Sequence, residues 1–113
     1  MNSRLHEAFE NEMNLAKKEY KTANYSVCFM HLERAHILGQ SYLIPHTKSH
    51  WWMLKVGFTK GDVREVVGQV TRIIASIIFT RIWVPLGNTG GANVSPIKPM
   101  EIPKDLQIYL DRE

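Results

Sequence analysis

Apolar residues recur at the spacing of an α-helix through the first three quarters of the chain. A first stripe, at steps of three and four residues, predicts a helix that buries one face: Leu5, Ala8, Phe9, Met13, Ala16 and Tyr20. After a polar break at Thr22 and Asn24, a second stripe runs to Gly39, a residue type that commonly ends helices: Tyr25, Cys28, Phe29, Leu32 and Ala35. This part of the chain therefore predicts a pair of amphipathic helices.

Two further stripes predict a second pair of helices. The third stripe puts Pro45 in a first helical turn, where proline is tolerated: Leu43, His46, His50, Leu54 and Phe58. The fourth follows a capping pair, Asp62 and Glu65, and is strongly apolar: Val63, Val66, Val67, Val70, Ile73, Ile74, Ile77 and Ile78. Residues 73–79 alone could also form a buried strand, but no partner strand is evident elsewhere, so a helix is favoured.

From Pro85 the sequence changes character and becomes rich in glycine and proline. These residues prevent a continuous helix, so residues 85–104 predict an extended arm. The arm carries apolar residues at intervals, which predicts that it lies across the helices: Val94, Ile97, Met100 and Ile102. Residues 105–111 predict a last short helix through Leu106, Tyr109 and Leu110.

A faint internal repeat relates the two helical pairs. When the sequence is shifted by 38 residues, Leu32 aligns with Val70 and Arg34 aligns with Arg72. Each half then reads as helix, polar turn and helix, like the unit of tetratricopeptide repeats, whose period is about 34 residues. We therefore predict a single all-α domain over residues 1–113. It has four main helices, at about residues 3–84, in two antiparallel tetratricopeptide-like hairpins, followed by the arm and the short helix.

Composition and charge exclude several classes of protein. The net charge is only +3, with no cluster of Lys and Arg, which argues against nucleic-acid binding. Five charged or amide side chains interrupt the longest apolar run, so it predicts no membrane span: Arg64, Glu65, Gln69, Arg72 and Arg81. One cysteine, Cys28, fits a reducing compartment, and the polar N-terminus is no signal peptide. We expect a cytoplasmic protein.

Four of the five histidines fall within residues 31–50, and three of them suggest a metal site. His46 and His50 are four residues apart and share one helix face, as in zinc-binding helices. Glu33 and His36 are three apart, the Glu-x-x-His step of carboxylate-bridged metal bundles. A hairpin turning near residue 41 would bring these four side chains to one level. Gln69, on the fourth helix, could then hydrogen-bond to one of these ligating side chains without binding the metal itself.

Other interpretations of these residues remain open. The histidines and Glu33 could form a structural polar network, or they could perform acid–base catalysis without metal. If a metal binds, the donors suit zinc, iron, nickel or copper and not calcium. His31 lies on the opposite flank of its helix, His6 is expected at the surface, and Cys28 is expected in the core. No catalytic triad can be argued from spacing.

The glycine-rich run at residues 87–94, GNTGGANV, also permits two interpretations. Its consecutive backbone N–H groups could form an anion-binding nest. The alternative, which we favour, is a tight turn whose glycines adopt positive φ and allow the arm to approach the helices closely. The run is not a P-loop, because the lysine is missing and no strand precedes it.

Three segments resemble one bacterial family: HLERAHILGQ, HTKSHWWML and GNTGGANVSPIKPMEIPKDL. Over residues 2–110 the chain is similar to the family called domain of unknown function 3703 (DUF3703). Several positions stand where the family pattern has them: His36, His46, His50, Gln69 and residues 87–94. Trp52 departs from the pattern, which usually has a smaller residue there, so altered local packing is expected.

The resemblance implies a soluble, largely helical protein with a metal-linked role, since such proteins are often encoded near metal-resistance or transport genes. It brings no established activity. The favoured function is a small metal-binding protein for metal handling or resistance, with Glu33, His36, His46 and His50 as ligands. The alternative is an interaction module that binds a protein or its own copy. A small metalloenzyme, which needs an open coordination position, is less favoured.

Overall fold

Helices make up most of the described chain. A computed structural model describes residues 1–79, 88–92 and 99–111 of the protein. The helices within these residues are α1 (Ser3–Lys21), α2 (Tyr25–Gly39), α3 (Leu43–Lys60), α4 (Val63–Phe79) and α5 (Lys104–Leu110). No strand occurs in these ranges, so the predicted all-α class is confirmed and residues 73–79 are helical. None of the described helices is long and apolar enough to cross a lipid bilayer.

The helix ends follow from local sequence. Pro45 lies in the first turn of α3, where its missing N–H group costs no helical hydrogen bond. Gly61 ends α3 in the left-handed conformation, with φ 74°, which glycine adopts without steric penalty. The Asp62 carboxylate then accepts a hydrogen bond from the backbone N–H of Glu65 at 3.1 Å and caps α4, as predicted.

The helices pack in consecutive pairs, consistent with two hairpins. α1 packs against α2 and α3 against α4, while α2 and α3 join the pairs and α5 contacts α1 and α2. The likeness to tetratricopeptide repeats remains a prediction. Of the predicted arm, residues 88–92 and 99–103 are non-helical, whereas residues 85–87 and 93–98 lie outside the described residues, as do residues 80–84 of the predicted hairpins.

The core lies where α1, α2, α3 and α5 meet. The predicted stripe of α1 supplies four of its side chains, which recur at steps of three and four: Leu5, Phe9, Met13 and Ala16. Facing residues come from the other three helices: Cys28, Leu32, Ala35, Ile37, Leu38, Met53, Val56 and Leu106. Their burial supplies most of the favourable free energy of folding, at roughly 25 cal/mol per Å² of apolar surface. This core fixes α2, and therefore the starting point of the histidine cluster.

A charged cluster ties α1, α2 and α5 together at the edge of this core. The Glu12 carboxylate contacts His31 Nδ1 at 2.7 Å and Arg34 Nε at 2.9 Å. Arg34 also pairs with Asp105 on α5. These carboxylates raise the pKa of the Arg34 guanidinium above its usual range. His31 is therefore held by Glu12, on the flank of α2 where the sequence placed it.

Trp52 packs between aromatic and cationic side chains. The Tyr20 ring meets it edge-on at 5.6 Å between ring centroids, and Tyr20 meets Tyr25 in the same way at 5.8 Å. The Lys55 ammonium lies 4.1 Å from the Trp52 ring centroid, a cation–π contact. The large ring is thus accommodated where α1 meets α3.

The end of α2 packs too closely to admit a side chain at Gly39. A Cβ atom there would lie 2.7 Å from Cβ of Pro45 and 3.0 Å from the Phe9 ring. Glycine therefore allows the start of α3 to approach α2, which sets the separation of the helices that carry the histidines.

We expect the substitution Gly39→Ala to lower the free energy of unfolding by about 1–3 kcal/mol, because the methyl group overpacks this contact. Chemical denaturation followed by far-ultraviolet circular dichroism measures the change. The control Asn14→Ala, at an exposed position inside α1, should be neutral or slightly stabilising. Equal stability of Gly39→Ala and wild type would contradict the close packing.

Candidate metal centre

Three histidines meet at the seam between α2 and α3. His36 comes from the last turn of α2, and His46 and His50 come from successive turns of α3. The ring centroid of His36 lies 4.8 Å from that of His46 and 4.7 Å from that of His50. The ring centroids of His46 and His50 are 4.9 Å apart. One ring nitrogen of each histidine lies within 4.8 Å of the others. The structure thus brings together three of the four predicted ligands.

The hydrogen bond of His36 fixes its tautomer. Its Nδ1 lies 2.7 Å from the backbone carbonyl oxygen of Asn88, inside the protein. A carbonyl oxygen can only accept, so Nδ1 carries the hydrogen and donates it. In the neutral ring, Nε2 is therefore the nitrogen with the lone pair.

His50 is held in the same tautomer by a side-chain amide. Its Nδ1 lies 2.6 Å from Oε1 of Gln69. The amide orientation is determined because Nε2 of Gln69 donates to the Glu65 carboxylate at 2.6 Å and to the Gly90 carbonyl at 2.9 Å, both acceptors. Oε1 must then accept from His50. Gln69 lies where the sequence placed it, beside a histidine and outside the cluster.

Burial keeps the three imidazoles neutral. It lowers the pKa of His46 to about 4, and, together with the nearby His46, it lowers the pKa of His50 to about 3. For His36, burial and the neighbouring imidazoles hold the pKa well below its ordinary value. The positive charge of Arg72 acts in the same direction on His36 and His50. At neutral pH the cluster therefore presents lone pairs, as metal ligation requires.

The segment at residues 88–92 closes one side of the cluster. Its backbone is held by Glu65, whose carboxylate accepts the N–H of Ala92 at 3.0 Å, and by Asn88, whose side chain accepts the N–H of Gly90 at 2.9 Å. Gly90 has φ 83°, and a Cβ there would lie 2.5–2.8 Å from three ring atoms of His36. Glycine thus allows the backbone to lie against the face of this imidazole, the close approach favoured from the sequence.

Glu33, the fourth predicted ligand, is not among the donors that lie within 4.8 Å of one another. Its carboxyl group is half-buried and lies near Thr89 and Glu65. Burial and the negative charge of Glu65 raise its pKa, and the nearby Thr89 side chain acts in the opposite direction. Its role as a ligand stays a prediction.

The remaining candidates lie elsewhere. His6 is exposed, and Cys28 is buried in the core, where burial and Glu19 raise the pKa of its thiol to about 11. A protonated thiol is a poor metal ligand, so the predicted core role of Cys28 agrees with its surroundings.

Three supporting residues were not predicted as part of the site. Glu65 was interpreted only as a helix cap, although its spacing of four from Gln69 could have indicated a shared face. Asn88 and Gly90 belong to the glycine-rich run, whose course over the histidines no periodicity in the sequence specifies.

The chain belongs to a family without an assigned function. The family model described as "Protein of unknown function (DUF3703)" matches residues 3–110, nearly the whole chain, which confirms the resemblance found in the sequence. Comparisons with curated proteins and with solved structures give no match.

We expect the metal-free protein to lose stability as the pH falls from about 7.5 to about 5. Unfolded histidine takes up a proton below about pH 6.5, whereas the folded pKa values of His46 and His50 are about 4 and about 3. The unfolded state therefore binds more protons in this range. The stability that the neutral histidines contribute is fully present above about pH 6.5 and is lost progressively as the pH falls below it. Each such histidine should cost about 2 kcal/mol by pH 5.

Denaturation curves at several pH values, in the presence of a chelator, measure this loss. The variant His46→Gln should show a shallower dependence on pH, and His6→Gln, changed at an exposed position, should keep the full dependence. A free energy of unfolding that stays constant from pH 7 to pH 5 would contradict the burial of neutral imidazoles.

Proposed function

We propose that this protein binds one transition-metal ion through His36, His46 and His50 and serves metal handling. The observation that carries the proposal is the pair of Nδ1 hydrogen bonds, which leave Nε2 of His36 and of His50 as lone-pair donors. Histidines that bind metal commonly donate their second N–H to a carbonyl, carboxylate or amide oxygen in this way. The protein is then a small helical metal-binding protein.

The donor set decides which ions fit. Three imidazoles suit zinc, copper, nickel or iron, whereas calcium and magnesium prefer oxygen ligands. At a metal–nitrogen distance of about 2.0–2.1 Å, the nitrogens must approach to roughly 3.3 Å of one another. One ring nitrogen of each histidine already lies within 4.8 Å of the others, so these separations would have to shorten by at most about 1.5 Å.

A fourth ligand would complete a tetrahedral site, and Glu33 is our candidate for it. Glu33 lies one turn before His36 on α2, and its carboxyl group is half-buried. The negative charge of Glu65 disfavours an ionised Glu33, and a bound cation would offset that repulsion. If Glu33 does not bind, the fourth position is open to water or another small ligand.

Metal titration of protein purified without a histidine tag tests the proposal. Zinc, nickel, copper and ferrous ions are each added to chelator-treated protein, and binding is followed by calorimetry. We expect one ion per chain, with an affinity at least roughly 100-fold lower in His36→Ala, His46→Ala and His50→Ala. X-ray absorption should show imidazole nitrogens at about 2.0 Å.

His6→Ala and His31→Ala are the matched controls, and both should bind metal as wild type does. Glu33→Gln distinguishes a site in which Glu33 is the fourth ligand from one with an open fourth position, because the substitution lowers metal affinity only if the carboxylate is a ligand. Absence of binding by wild type, or wild-type affinity in His50→Ala with its helix content intact, would refute the proposal. The histidines would then be a structural network.

The hydrogen bond from His50 to Gln69 yields a separate prediction. Gln69→Met keeps the volume of the side chain but removes the acceptor of His50 and the contacts with Glu65 and Gly90. We expect metal affinity to fall about 10- to 100-fold. Calorimetry measures the change, and Thr71→Met, on the exposed side of α4, is the control. Unchanged affinity in Gln69→Met would show that Gln69 does not orient the ligand.

A further inference from the structure

The outer face of α4 carries an unusual stripe of exposed aliphatic side chains. Its members, here called the α4 stripe, are between 44% and 74% exposed: Val63, Val67, Val70, Ile74, Ile77 and Ile78. From the sequence these residues belonged to one apolar stripe with Val66 and Ile73. In the structure Val66 and Ile73 are half-buried, whereas the other aliphatic residues of that stripe are exposed.

The α4 stripe lies away from the surfaces through which α4 contacts the other described residues. Among the described helices, α4 packs against α3 only. The inward face of α4 carries Gln69 and Ser76, which contact α3 side chains, and Glu65, which holds the segment at residues 88–92. At 100° per residue, the centre of the stripe is turned roughly 130° from Gln69. The stripe and the metal centre therefore occupy different faces of one helix.

The spacing of the stripe is that of a helix–helix seam. Val63, Val67, Val70, Ile74 and Ile77 alternate steps of four and three residues. Apolar residues at this spacing lie along one side of a helix and pack between the residues of a facing helix. All are β-branched, with few side-chain conformations to lose on packing. The stripe is thus shaped to receive another helix.

We propose that the α4 stripe packs against the same stripe of a second copy of this chain, with the two helices antiparallel. A two-fold axis near Val70 makes Val67 of each copy face Ile74 of the other, while Val63 faces the end of the stripe at Ile78. Such an interface uses one surface patch twice. No stripe residue is ionisable, so two identical faces do not repel each other.

The exposed apolar area of the α4 stripe is close to the area that a dimer interface buries. The six side chains expose on the order of 600 Å², at the upper end of the largest apolar patches found on monomeric proteins. Phe58, 78% exposed, stands at the same end of the α3–α4 hairpin as Val63. With Phe58 the area approaches the ~800 Å² per partner of a standard interface. This inference is independent of the proposed metal site.

Light scattering coupled to size exclusion, in the presence of a chelator, tests the proposal across a range of protein concentrations. We expect wild type to be a dimer and both Val67→Glu and Ile74→Lys to be monomers, with association weakened at least roughly 100-fold by an unpaired buried charge. Both positions are exposed in the single chain, so circular dichroism should show unchanged helix content. Ile108→Glu, an isoleucine 49% exposed on α5, is the control and should remain a dimer.

Mixing the two variants tests the antiparallel register. In a mixed dimer, Glu at position 67 of one chain faces Lys at position 74 of the other, so dimers should reappear only in the mixture. A monomeric wild type overturns the proposal. This holds also if the monomer binds lipid vesicles or another protein through the α4 stripe. Dimers that persist in Val67→Glu also overturn it.

Discussion

The arrangement of the histidine cluster depends on two hydrogen bonds from imidazole Nδ1 atoms. One joins His36 to the Asn88 carbonyl, and the other joins His50 to Gln69. They connect the cluster to two parts of the chain that are remote in sequence, namely the segment at residues 88–92 and α4. Because both acceptors are oxygens, each ring is fixed in rotation and in tautomer. The position of α4 therefore matters to the cluster as much as the positions of α2 and α3.

Much of the fold and part of the site could be predicted from the sequence because both depend on helical periodicity. The apolar stripe beginning at Leu5 marked α1, Gly39 marked the end of α2, and the Asp62–Glu65 pair marked the start of α4. With two helices and a short turn known, the register of the α2–α3 hairpin follows. That register brings His36 level with His46 and His50.

The rest could not be predicted, because it depends on contacts with no periodic signal. The path of residues 88–92 over His36 is set by Gly90 and by hydrogen bonds to Glu65 and Gln69. Periodicity also cannot distinguish an apolar face that is buried within one chain from one that is left exposed. The outer face of α4 belongs to the second kind, although Val67 and Ile74 resemble core residues in the sequence.

The histidine cluster carries an energetic cost that a bound metal would offset. Burial lowers the pKa of all three imidazoles, so the folded state holds them neutral at the expense of some stability at acidic pH. A cation between the rings would bind the Nε2 lone pairs of His36 and His50. A ligand that binds only the folded state stabilises it by about 2.7 kcal/mol at 100 times its dissociation constant. Such a gain is comparable to the cost of keeping one histidine neutral at pH 5, so bound metal would offset a substantial part of the cost of the site.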